Sequence, residues 1–185
     1  MRILKKWQAQ LHDHFLMKQL SQMRRNQQTV AFDKAQSVGL LFDATELNNR
    51  NFVQAYAEQL KNKGKKVKLL AFLDETSQQS QFPFTHFSRK EVDWMMRPKG
   101  DAVETFVKTP FDYLINLYLA GKKPLEYISI LSQAHLKVGT YPIKHGGFDL
   151  VIEMQEEHHL SHFVKQLDYF LKRLNSNQKH EGAII

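Results

Sequence analysis

Short, almost wholly apolar runs alternate along the chain with stretches whose apolar residues recur every three or four positions. The runs at 38–42, 67–73, 111–119, 136–139 and 148–152 read as buried strands, and 84–87 as a further short one. Between them lie helical stripes. Phe52, Val53, Tyr56, Ala57 and Leu60 make one, with Thr45 placed to cap it and Gly64 to end it. Asp101 opens a short helix carrying Val103, Phe106 and Val107, and Thr109-Pro110 closes it, because the residue before proline avoids helical geometry. Pro124 suits the first turn of a helix carrying Leu125, Ile128 and Leu131. The last stripe is the clearest: Leu160, Phe163, Val164, Leu167, Phe170, Leu171 and Leu174, with Phe163, Leu167, Phe170 and Leu171 expected against the sheet. Ser88 and Glu91 have capping-box spacing.

Strands alternating with helices over 37–175 predict an α/β domain with a largely parallel sheet, a Rossmann-like three-layer sandwich. One connection departs from the pattern. Only eight residues separate Gly139 from Phe148, and parallel neighbours ordinarily need a crossover of about a dozen or more. The expectation is therefore a mixed sheet, with those two strands antiparallel if they pair. Ahead of this unit, residues 2–25 read as an amphipathic helix with Leu4, Trp7, Leu11, Phe15, Leu16, Leu20 and Met23 on a drifting stripe, followed by a polar linker. The division expected is a helical extension over 1–30, the α/β domain over 37–175 and a flexible tail over 176–185. The extension has three destinations: folded back on the domain, paired with a second copy in a homo-oligomer, or laid on an anionic membrane surface.

Charge and composition narrow the function classes. Lys and Arg outnumber Asp and Glu by 26 to 19, a surplus that favours anionic partners. It concentrates in residues 1–30 and in Lys61, Lys63, Lys65, Lys66 and Lys68, two clusters that are the basis of a nucleic-acid reading, with Lys61, Lys63, Lys65 and Lys66 the anion-binding candidates. Cysteine is absent, which excludes disulfides, thiolate metal sites and a cysteine nucleophile. No apolar stretch is long enough to span a bilayer, and Lys5 and Lys6 interrupt the N-terminal apolar residues too early for a signal peptide. The location expected is cytoplasmic.

The chemistry-bearing motifs are mostly missing. Neither the glycine-rich dinucleotide fingerprint nor the P-loop occurs, so no nucleotide cofactor is expected. The serine-hydrolase elbow is absent too. In open α/β sheets ligands sit beyond the carboxyl ends of the strands. That rule selects Asp43, Thr45, Asn48 and Asp74, together with Asn116, a polar interruption of an apolar run, as ligand-binding candidates. Asp43 and Asp74 could bind Mg²⁺, pair as acid and base, or each cap a helix or a turn. His158 and His162 share a helical face beside Glu156, Glu157 and His159, but no third ligand is placed by the sequence, so no metal is expected.

The segments Phe42-Asp43-Ala44-Thr45, Phe111-Asp112-Tyr113-Leu114-Ile115-Asn116-Leu117, Pro124-Leu125, Leu131-Ser132-Gln133-Ala134-His135-Leu136-Lys137-Val138-Gly139 and Phe148-Asp149-Leu150-Val151-Ile152 together resemble a family of small bacterial proteins of unknown function, over about residues 35–175. That resemblance implies no activity. The central stretch also distantly resembles the N-terminal half of heptosyltransferase-like glycosyltransferases, which implies a Rossmann-like layout. Those enzymes need a second domain for the sugar nucleotide, for which this chain has no room. Fold alone does not carry function. The leading expectation is a non-enzymatic binding or adaptor protein, with a small-molecule-binding domain or enzyme using the strand-end crevice, and nucleic-acid binding through the lysines, as the alternatives.

Overall fold

In a computed structural model, which describes residues 2–23, 25–27, 30–74, 82–143, 145, 147–154 and 159–181, the apolar runs form one six-stranded sheet. The strands are Ser37–Asp43 (β1), Lys66–Leu73 (β2), Thr85–Ser88 (β3), Tyr113–Leu117 (β4), Leu136–Gly139 (β5) and Leu150–Val151 (β6). Their order is β3-β2-β1-β4-β5-β6. The helices are Arg2–Gln22 (α1), Leu47–Asn62 (α2), Asp101–Lys108 (α3), Lys123–Leu131 (α4) and Leu160–Glu181 (α5). The chain is an α/β Rossmann-like sandwich. Alternation along each strand sends Leu40, Phe42, Ala71, Ile115 and Val138 to the layer of α2 and α5, and Leu41, Leu70, Phe72 and Leu114 to that of α3 and α4.

Every strand pair in the sheet is parallel, β5 and β6 included, so the expected antiparallel member is not there. The reason lies in the register. Leu150 stands opposite Val138, one step before the end of β5. The connection therefore retraces about one residue of strand, roughly 3.3 Å, instead of a full strand length. Phe148 turns in over Gly139, where any Cβ would overlap its ring. The Asp149 N–H then donates to Lys137 O at 2.9 Å and the Ile152 N–H to Gly139 O at 3.0 Å.

Helix α1 lies outside α4 as an added layer. Leu16 is buried against Tyr127, Ile130 and Leu131. Tyr127 donates to Gln19 Oε1 at 2.6 Å, and His12 Nδ1 lies 2.6 Å from Met95 O. Trp7, part of the sequence stripe, points away and is 63% exposed. The segment that follows is tied down as well: Arg25 donates to Ala134 O at 2.7 Å and His135 O at 2.8 Å and grips Asp149.

Two local readings change. Ser88 and Glu91 do form a capping box, but on a three-residue 3-10 turn, not a helix. Phe163, Leu167 and Leu171 are buried as the stripe predicts, whereas Phe170 is 41% exposed. Helix α5 continues to Glu181, past the end of its apolar pattern.

Candidate ligand-binding crevice

The strand order runs outward from β1 in both directions, so the sheet reverses between β1 and β4. Beyond the carboxyl ends of these two strands lies a crevice of about 430 Å³. Three strand-to-helix junctions build it. The β1–α2 junction supplies Asp43, Glu46, Asn48 and Asn49; the β4–α4 junction supplies Tyr118, Leu119, Ala120 and Lys122; and His159 and Leu160 come from the start of α5. Sequence places these polar residues here because a strand that ends in the core must release its chain to solvent at this edge.

The charged groups engage one another. Lys122 Nζ lies 3.3 Å from Asp43 Oδ2 and 3.1 Å from Asp74 Oδ2. Arg89 Nη1 is 2.6 Å from Asp74 Oδ1. The remaining Asp43 oxygen, Oδ1, accepts from the Thr45 N–H at 3.0 Å and its hydroxyl at 2.5 Å. The four carboxylate oxygens of Asp43 and Asp74 are thus all occupied. The hydrogen bond from Arg89, with help from Lys122, holds the Asp74 carboxyl below the usual carboxylate range. Burial works against the Lys122 charge, but Asp43 and Asp74 outweigh it and hold the ammonium above the ordinary lysine range.

Thr45 does not cap α2. The N-cap is Glu46, without a side-chain hydrogen bond. Instead the Thr45 hydroxyl joins two strand ends, donating to Asp43 and accepting from the Asp74 N–H at 3.2 Å. Of the sequence candidates, then, Asp43, Thr45 and Asp74 form one connected group and Asn48 lines the space beside it. Asn116 is elsewhere. It is buried, donates to Val138 O at 2.8 Å and accepts from Ser129, tying β4 to β5 and α4.

The lysine cluster sits at the opposite, amino-terminal end of β2. Lys65 is buried there, with Nζ donating to Phe32 O and, at 2.8 Å, to Ala35 O. Burial lowers its pKa. Lys61 pairs with Glu58 at 2.7 Å, while Lys63 and Lys66 are exposed. Of the histidine group, Glu156, Glu157 and His158 lie outside the described residues; His162 lies 3.4 Å from Gln166. Among the described residues no cluster of three potential ligands could hold a metal. No described helix is long and apolar enough to cross a membrane.

Sequence reading missed Lys122 and Arg89, and placed His159 only in the histidine group, not at the crevice. Lys122 was within reach of the same strand-end rule, since it lies in the junction that leads from β4 to α4, as Asp43 ends β1. Arg89 and His159 carry no comparable signal, because only the packing brings them to this edge.

A family model matches residues 9–174. The chain belongs to the family of unknown function DUF6913. The matched span takes in most of α1 together with all six strands, so crevice and outer helix fall inside the family's common region. No curated protein and no solved structure matches the chain.

Proposed function

We propose that the protein is a non-enzymatic binding domain that takes a small, uncharged, polar molecule in the crevice between the ends of β1 and β4. The observation that carries this reading is the closed charge network at the switch point. Lys122 and Arg89 are neutralised by Asp43 and Asp74, and each carboxylate oxygen already has a partner within the protein. Beside the paired Asp43 and Lys122, and Glu46 and His159, the lining offers uncharged hydrogen-bonding capacity from Asn48 and Asn49 and an apolar strip of Leu119, Ala120 and Leu160. Glu46 in the lining repels polyphosphates. A volume of about 430 Å³ falls in the lower part of the roughly 300–1,000 Å³ range of small-molecule sites. Fixed polar groups in such a site orient a ligand through hydrogen bonds and the apolar strip supplies burial.

Thermal-shift screening of nucleosides, monosaccharides and amino-acid amides against nucleotides and sugar phosphates tests it. Neutral compounds should raise the melting temperature, and Ala120→Trp, at an exposed position on the wall, should abolish the effect by filling the space. Stabilisation by polyphosphates alone, or hits indifferent to Ala120→Trp, would overturn the reading.

A further inference from the structure

Strand β3 is shorter than the strand it pairs with. It begins at Thr85, opposite Leu70, so among the described residues nothing lies beside positions 66–69 of β2 on that side. The Lys66 N–H donates to Gln36 O at 2.7 Å, which turns its backbone groups toward β1. Alternation then turns the N–H and C=O of Val67, and the N–H of Leu69, outward. They face a groove of about 620 Å³ whose walls include Pro83, Phe84 and Phe106. The described residues just before β3 do not extend the ladder along this line, for identifiable reasons. Pro83 has no N–H to give a ladder, and Phe84 turns into the core to meet Phe42 at 5.2 Å between ring centres.

From this open edge we infer that an acidic peptide segment of a partner docks there as an added strand, in line with β3. The backbone groups specify the extended conformation. The side chains specify the pattern. Val67 and Leu69 are half-buried on the α2 face, while Lys66 and Lys68 stand exposed on the α3 face. A docked strand would therefore set apolar residues on the first face and acids on the second. Among the described residues Asp101 is the one acid of the groove wall, and it stands at the first turn of α3. A second copy of this chain is the wrong occupant, since edge-to-edge pairing would bring Lys66 and Lys68 against their own copies and like charges across strands repel.

Fluorescence anisotropy with a labelled hexapeptide of alternating valine and glutamate tests the proposal, with an alternating valine–lysine peptide as the control. The acidic peptide should bind and the basic one should not. Lys68→Glu should weaken binding at least about fivefold. N-methylation of alternate peptide nitrogens should weaken it about tenfold or more, because it removes the ladder donors. Val67→Pro removes an outward N–H together with a half-buried side chain, and should weaken binding while circular dichroism confirms the fold. Equal binding of both peptides, binding indifferent to N-methylation or Lys68→Glu, no binding of the acidic peptide, or a dimer closed across this edge would each overturn it.

Discussion

Arg25 and Asp149, 124 positions apart, form an ion pair in which the guanidinium grips both carboxylate oxygens. The same Arg25 bonds two carbonyls of the turn before β5, and Asp149 also accepts from the Lys137 N–H at 2.7 Å. The pair therefore joins the segment after α1 to the short edge of the sheet. It is mostly withdrawn from solvent, at 13% and 23% exposure. Arg25→Ala should cost about 2–4 kcal/mol, because it strands a partly buried carboxylate and two carbonyls. Urea denaturation checks this; a loss below about 0.5 kcal/mol would show the pair to be ornamental.

Gly139 marks the place where β5 accepts its parallel neighbour. Its missing side chain is what lets the Phe148 ring lie over the strand. Gly139→Ala should cost about 1–3 kcal/mol through overpacking, and Phe148→Ala should recover part of that loss in the double variant. Additive losses would contradict the packing account of the β5–β6 connection.

Lys137 lies in the interior of β5, with Nζ donating to Ile130 O at 2.8 Å. Burial, reinforced by the nearby Arg25 charge, pulls its pKa from 10.5 down to about 7. Between those values the unfolded chain carries a proton that the folded chain lacks, so folding stability rises with pH across that window and levels off below it. Lys137→Met should stabilise the protein at pH 7 and remove this rise from the variant's stability curve. Parallel stability curves for the two proteins would show that the ammonium is well solvated.

On α5, Phe163→Ala should cost about 3–5 kcal/mol, because the ring is fully buried under the sheet. Phe170→Ala should cost less than about 1 kcal/mol at its exposed position. The reverse order would place the helix face wrongly.

Phe163 and Phe170 also show how far a sequence can be read. A stripe of seven apolar residues announces a helix and its buried side, yet it is wider than the contact it makes, and Phe170 falls at the uncovered margin. The parallel pairing of β1 with β2 and of β4 with β5 follows from the intervening helices α2 and α4. That of β6 did not, because the rule about crossover length assumes a full strand to retrace, and Leu150 starts near the end of β5. Asp43, Thr45 and Asp74 were legible as strand-end residues. Their union through Lys122 was not, since it depends on which strand becomes the neighbour of β1. Asn116 and Lys65 looked available for ligands only because a sequence does not show which polar groups the fold consumes itself.

The central claim is that the β1–β4 crevice binds a neutral polar ligand. Amide chemical-shift mapping with a compound that stabilises the protein tests it most directly. The account predicts saturable shifts centred on Asn48, Asn49, Leu119, Lys122 and His159, and none at the lysine-rich end of β2. Shifts centred on Lys61, Lys63 and Lys66 instead, with the β1–β4 edge silent, would contradict it.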